Sequence, residues 1–278
     1  MSGLSFPVTD FIKYPRTPHL RGSKLQDGDH DLEQVDLAAL TDGILVWEEK
    51  LDGANAAFSF TGAGDLQLQS RGHVLRGGAR EAQFNLLKAW AETHQSAFFD
   101  VIGMRYVVYG EWCYAKHTVF YDRLPHYFME FDIYDREADR FLSTRARRQL
   151  LNGLPIVSVP VVHEGAPRAR TKRGGAPDIA GLIKPSLYKS AQWRTALDAA
   201  ARDSGQDPAR VRGETDDNDL AEGLYLKHED NDRVMGRYKF VRGDFLQAIA
   251  ASGTHWQERP IVMNGLSLGV DLFAGSMR

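Results

Sequence analysis

The residue with the greatest capacity for chemistry is Lys50, which opens Lys50-Leu51-Asp52-Gly53 between two β-rich runs. Asp-Gly is a strong two-residue turn signal, so the tetrapeptide taken alone reads first as a hairpin tip. A lysine held where a strand meets a tight turn has another use. Its amine can attack a bound phosphate, provided neighbouring cations lower its pKa enough to leave some of it neutral. Five further clusters follow in order: Gln69-Ser70-Arg71-Gly72, Tyr109-Gly110-Glu111-Trp112, Phe131-Asp132-Ile133, Glu222-Gly223-Leu224-Tyr225-Leu226-Lys227 and Arg237-Tyr238-Lys239. Each has an ordinary explanation in isolation: Arg71 a surface arginine, Glu111 a strand-end carboxylate paired with a lysine, Phe131 a core ring. It is their joint order that carries weight.

Together these clusters resemble the motifs of the covalent nucleotidyltransferases, the superfamily of ATP-dependent DNA ligases, RNA ligases and mRNA capping enzymes. Ala54 and Asn55 after the Lys-x-Asp-Gly element are more similar to RNA ligases of the phage and kinetoplastid-editing class, where DNA ligases usually carry an arginine. The stretch GEWCYAKHTVFYDRLPHYFMEFDIYD resembles the same class, and the resemblance covers about residues 40–245.

The resemblance implies an α+β nucleotidyltransferase fold, the ATP-grasp-like adenylation domain of ligases, with antiparallel sheets cradling the nucleotide and helices outside. Lys50 would take AMP from ATP, pass it to a 5'-phosphate, and leave a 3'-hydroxyl to displace it and seal the strand. In the same scheme Glu111 binds the ribose, Phe131 stacks on adenine, and Arg71 contacts the strand's 5'-phosphate or the nucleotide phosphates. Glu222 helps hold Mg²⁺ or Mn²⁺, directly or through water. Asp52, Asn55 and Lys227 complete the nucleotide-binding set, and Glu49 is a weaker candidate for adenine recognition. Where the class shows Lys-x-Lys, this chain has Arg237 before Lys239, which keeps the charge but changes its geometry. Lys239, Arg237 and the metal would offset the phosphate charge, and the same cations would depress the pKa of Lys50. ATP and a divalent metal are the implied cofactors and RNA ends the implied partner, with an end-healing or strand-engaging protein as a further one. DNA ligation, capping-type GMP transfer and a non-catalytic nucleic-acid-binding relative stay as alternatives. The short C-terminus counts against the first two, which generally continue into an OB domain.

The elements that must position these residues are visible in outline. Residues 44–60 read as two strands around a turn, and Asp65–Ser70 alternates as another. AREAQFNLLKAWAETH, from Ala79, has apolar residues at helical spacing and should cover a sheet face. YVVYGEW and HYFMEFDIYD return to strand character. Ser143 has the character of an N-cap for the helix TRARRQLL, and LPIVSVPVV reads as a proline-interrupted edge. A polar segment, about 168–219 and holding one helix, is predicted as an insertion or mobile connection. Strands resume at GLYLK and RYKFVR. The expected organisation is one domain over 1–245 and a short extension over 246–278.

With 43% hydrophobic and 26% charged residues the 278-residue chain has a globular composition. No stretch approaches the roughly 18 apolar residues of a membrane span, no secretory leader is evident, and one cysteine cannot form an internal disulfide. A cytoplasmic protein is the expectation. A net charge of -3 excludes a nonspecific polycation, so phosphate binding must be local. Candidate basic clusters are Arg71, Arg76 and Arg80, and the run Arg136, Arg140, Arg145, Arg147, Arg148, Arg168, Arg170, Lys172 and Arg173, which alone reads as a solvated face. Cys113, beside Glu111, reads as a small buried hydrophobe. Lys116 and His117 read as loop polarity or substrate contacts.

Overall fold

The computed structural model describes residues 11–25, 33–167, 178–251 and 259–275. Arg168, Arg170, Lys172 and Arg173 of the basic run lie outside them. The strands in chain order are β1 (His19–Leu20), β2 (Gln34–Val35), β3 (Ile44–Lys50), β4 (Ala54–Phe60), β5 (Leu66–Ser70), β6 (Tyr106–Trp112), β7 (Phe128–Asp135), β8 (Arg140–Phe141), β9 (Val157–Ser158), β10 (Val161–Gly165), β11 (Gly223–Glu229) and β12 (Val234–Val241). The helices are α1 (Asn85–Thr93), α2 (Gln95–Ile102), α3 (Thr144–Leu150), α4 (Trp193–Asp203), α5 (Pro208–Gly213) and α6 (Gly243–Ala251).

Two sheets form, mostly antiparallel. The first runs β10-β3-β11-β12-β1-β2, and the second β5-β4-β6-β7-β8 with β9 alongside β7. The two strands flanking Lys50-Gly53 therefore do not pair with each other. β3 pairs β11 and β10, whereas β4 pairs β5 and β6, so the expected hairpin is instead a crossover between sheets.

Alternation along each strand decides which residues line the cleft between the sheets. On the first sheet Leu45, Trp47, Leu224, Leu226 and Phe240 form an apolar cluster with Leu20 on one face. Glu48, Tyr225, Lys227, Arg237 and Lys239 take the other. On the second sheet Ala56, Phe58, Phe60 and Val108 pack beneath the helices, where Trp90 stacks on Phe128 at 5.3 Å and Phe58 on Phe98 at 4.7 Å. Burying each such ring contributes roughly 2–3 kcal/mol.

The helix expected from Ala79 starts later. Gly77 and Gly78 sit at φ 109° and 116°, the next six residues form a 3-10 turn, and α1 begins at Asn85. Ser143 caps α3 as expected, its Oγ accepting from Ala146 N at 3.3 Å. In the polar segment, α4 and α5 close on Phe120 and Val262 through Trp193, Leu197, Ala201 and Val211, so its described part is packed. The segment 259–267 returns to lie along residues 113–124, with bridges Ala115 to Met263 and Leu124 to Leu266. Among the described residues no helix is long and apolar enough to cross a membrane.

Candidate active site

Lys50 ends β3 at the point where the chain leaves the first sheet for the second. Asp52 is held inside the protein rather than offered to the cleft. Its Oδ2 accepts from Thr118 N and Val119 N, both at 2.7 Å, and its own N–H donates to Tyr121 Oη at 2.8 Å. Gly53 N donates to Glu111 Oε1 at 3.0 Å. Glycine is required there by close approach, since a Cβ would lie 2.7 Å from the Trp112 carbonyl oxygen. The crossover is thus clamped from both sides, and Lys50 projects from a rigid corner.

The Lys50 ammonium donates to Glu222 Oε2 at 2.7 Å. Burial alone would lower its pKa, but Glu222, Glu111 and Tyr225 outweigh that and hold the amine above the ordinary lysine value. This is opposite in sign to the activation expected from Arg237 and Lys239. Both carboxyls are strained in turn: burial raises Glu222 to about 7 and Glu111 to about 7, despite the opposing pull of Lys50. Lys50 is thus in direct contact with Glu222, and Glu111 acts on the same ammonium.

Arg237 and Lys227 share the face of the first sheet that carries Lys50 but are engaged by other acids than those around Lys50. Strand register sets Lys227 opposite Arg237 and Tyr225 opposite Lys239. The fully buried Lys227 Nζ donates to the Phe131 carbonyl and lies 2.8 Å from Glu48 Oε2 and 3.3 Å from Asp132 Oδ1. Arg237 Nη1 lies 3.4 Å from Asp132 Oδ2, with its guanidinium 3.7 Å from the centre of the Phe141 ring. Burial would raise the pKa of Asp132, but Lys227 and Arg237 hold it below the usual carboxylate range. Arg147 joins from α3, its guanidinium 2.6 Å from both Glu48 and Glu130. The result is a buried ionic lattice that ties both sheets and α3 together under the cleft.

Phe131 and Tyr225 face each other across the cleft with ring centres 6.2 Å apart and planes 12° from parallel. Flat rings so arranged suit a purine, which stacks on any aromatic face. Tyr14 meets Phe131 edge-on at 5.2 Å and donates to Asp132 Oδ2 at 2.5 Å, while Thr17 shares a hydrogen bond with the Tyr225 hydroxyl. Asn55 pairs with Glu111, and its buried Oδ1 has no hydrogen-bond partner among the described residues. Arg71 is exposed, and its charge acts on both Glu111 and Tyr225.

Lys50, Asn55, Arg71, Glu111, Phe131, Glu222 and Tyr225 therefore converge. Lys239 sits on the same face, beside Tyr225, whereas Lys227 and Arg237 belong to the lattice. Glu49 does not join them. It is buried beneath residues 186–189, where Leu187 N donates to it at 3.4 Å and burial raises its pKa to about 7. Cys113 is buried as expected. Lys116 donates to the carbonyls of His117 and Glu214, and burial and Arg259 lower its pKa to about 8. Sequence reasoning passed over Tyr14, Thr17, Glu48, Tyr121 and Glu130, and took Arg147 only as part of a charge run. Their partners are distant in the chain, so no local spacing marks them.

Among the described residues no group of three or more histidine, cysteine, aspartate or glutamate side chains could cage a metal alone. Glu222 fits a hard cation of the Mg²⁺ type, which binds through one or two carboxylates with substrate phosphates and water.

An RNA ligase of Naegleria gruberi, solved as a variant with ATP and Mn, is 17% identical and has a TM-score of 0.51, covering 77% of this chain and 54% of that one. Another variant of it, with AMP and Mn, is 16% identical with a TM-score of 0.50, covering 83% of this chain and 61% of that one. The chain thus spans somewhat over half the length of these structures, and the likeness is one of fold. No curated protein matches the sequence. The sequence model of the family described as RNA ligase matches residues 43–241, which is most of the chain and includes every motif above. The chain therefore belongs to the RNA ligase family.

Proposed function

We propose that the chain is an ATP-dependent RNA ligase whose two sheets form a nucleotidyltransferase domain and whose Lys50 carries AMP. The observation that supports this best is the position of Lys50: on a clamped crossover, within 2.7 Å of Glu222 and beside Glu111, at the mouth of the cleft walled by Phe131 and Tyr225. In the first step a neutral Lys50 Nζ attacks the α-phosphorus of ATP. The N–P bond forms as the bond to pyrophosphate breaks, and the amine proton leaves to water. AMP then moves to an RNA 5'-phosphate, and a 3'-hydroxyl displaces it to close the strand.

Phe131 and Tyr225 would hold the adenine and Glu111 the ribose, with Asn55 Oδ1 as a further acceptor in reach of the sugar. Arg71 and Lys239 would face phosphates. Glu222 would hold the divalent cation, which supplies charge neutralisation at the phosphates and competes with the Lys50 ammonium for the carboxylate. Lys227 and Arg237 act from below, by fixing Asp132 and the backbone of Phe131. The domain is proposed to span 1–245 with a short extension over 246–278, and a cytosolic setting suits the one unpaired cysteine. RNA ends are the proposed partner, with an end-healing or strand-engaging protein as a further one.

The test is incubation of the protein with α-³²P-ATP or α-³²P-GTP and Mg²⁺, as wild type and Lys50→Ala, followed by a denaturing gel and then by nicked RNA. Covalent label from ATP that is absent in the variant, and transfer of it into a sealed RNA, is the expected result. No label from either nucleotide, after pyrophosphate stripping of bound AMP, would overturn the reading.

A further inference from the structure

The crossover that carries Lys50 is held by a loop, and that loop is held by the C-terminal segment. Asn264 is 2% exposed and uses all its polar groups on the loop. Its Oδ1 accepts from Tyr121 N at 2.9 Å, and its Nδ2 donates to the Cys113 carbonyl at 2.8 Å. Its backbone N–H donates to the Tyr114 carbonyl at 2.9 Å, and its carbonyl accepts from Tyr127 Oη at 2.8 Å. Either side of it the pairing continues: Lys116 N donates to the Val262 carbonyl, Gly265 N to the Tyr121 carbonyl and Leu124 N to the Gly265 carbonyl, at 2.8, 2.8 and 2.9 Å.

Residues 113–124 could not satisfy these groups alone, because they run as loop rather than strand and are largely buried. The same loop supplies the donors Thr118 N and Val119 N to Asp52 Oδ2 and the Tyr121 hydroxyl that accepts from Asp52 N. Tyr121 is the shared member. Its backbone N–H is fixed by Asn264, and its side chain fixes the residue two positions after Lys50.

We infer that Asn264 is a positioning residue for Lys50, acting through Tyr121 and Asp52 to hold the lysine corner against the cleft. The inference rests on the ligase reading above and assigns a role to a segment outside the family match. A fault at Asn264 loosens the corner, and a displacement of about 1 Å at a reacting group can reduce rate by about a hundredfold. Only reactions that use the Lys50 amine should feel it. Sealing of an RNA strand already carrying AMP on its 5'-phosphate proceeds without lysine attack, so it serves as an internal reference.

The experiment compares wild type, Asn264→Ala, Asn264→Asp, Tyr121→Phe and the control Leu268→Ala, at a side chain fully exposed to solvent. Two rates are measured for each: formation of lysyl-AMP from ATP, with its KM, and sealing of pre-adenylated nicked RNA. Asn264→Ala should slow lysyl-AMP formation at least tenfold with little change in KM, and slow sealing of the pre-adenylated strand less than threefold. Tyr121→Phe, which removes only the hydroxyl, should show the same split and decides the matter if Asn264→Ala does not fold. In Asn264→Asp a protonated carboxyl can replace the amide as donor to Cys113, so its lysyl-AMP rate relative to wild type should rise as pH falls from 8 to about 5. Leu268→Ala should match wild type in both. Parallel loss of both rates in Asn264→Ala and Tyr121→Phe, or no loss in either, would overturn the inference. Absence of lysyl-AMP in the wild type would instead remove the ligase reading itself.

Discussion

Replacing Glu222 by glutamine should free the Lys50 amine, and the size of the change follows from one distance. Lys50 Nζ and Glu222 Oε2 are 2.7 Å apart, and at an effective dielectric of about 20 two unit charges at that separation attract by about 6 kcal/mol. Lys50 keeps 20% of its side chain exposed and Glu222 3%, so solvent and counterions screen part of this. Discounting by roughly half leaves about 3 kcal/mol, which corresponds to a fall of about 2 pH units in the lysine titration. Glu111 remains to hold some of the charge, so the fall should not much exceed that. The assay is trace acylation of the protein across pH without nucleotide or metal, with Lys50 quantified by mass spectrometry against exposed lysines. Wild-type Lys50 should acquire reactivity only above the pH where exposed lysines do, and Lys50 in Glu222→Gln about 2 pH units below wild type. Circular dichroism at each pH confirms that the fold is retained. A titration in Glu222→Gln within about half a pH unit of wild type would refute the idea that Glu222 keeps the lysine charged.

Glu49→Gln tests the buried carboxyl beneath the lysine corner. Its folded pKa of about 7 lies above the ordinary 4.5, so the folded state binds the proton more tightly and wild-type stability should fall as pH rises from about 4.5 to 7. The variant should lose that component and gain on wild type by up to about 3 kcal/mol at pH 8, measured by urea unfolding at pH 5 and pH 8. Arg147→Met should leave Glu48 and Glu130 buried without their cation and lower unfolding free energy by about 3–5 kcal/mol, with the Glu130→Gln change added to it restoring part of the loss in the same urea assay.

The strands bearing the motifs were legible because their cues are local. β5 alternates within five residues, Ser143 caps a helix that starts at the next residue, and the apolar stripe of α1 repeats within a turn or two. Pairing was less so. Asp52-Gly53 has the chemistry of a hairpin turn, yet β3 and β4 part because each finds longer-range partners, β3 in β11 and β4 in β6. The candidate site was read as a list of motif residues, and most of them converge. What no motif revealed was their sorting by charge. Lys227 and Arg237 carry the sign expected of phosphate ligands, but Glu48 and Asp132 capture them, and neither acid shows any spacing to them in the sequence. Asn264 was invisible for the same reason, since its partner Tyr121 is 143 residues away.

The cleft divides its charges into two sets with different consequences. Arg147, Lys227 and Arg237 below are balanced by Glu48, Glu130 and Asp132, all with side chains at most 15% exposed. A closed, neutral set of this kind has nothing to exchange with a substrate, and breaking it costs stability because a partner is left buried and unpaired. Above it, Lys50 faces Glu111 and Glu222, one cation against two acids whose pKa values burial has raised toward neutrality. That set is open. Its carboxyl oxygens can be shared with an incoming cation. The lower set can therefore hold the sheets at a fixed separation while the upper set changes its charge state, so substitutions below should register first in unfolding and substitutions above first in the titration of Lys50.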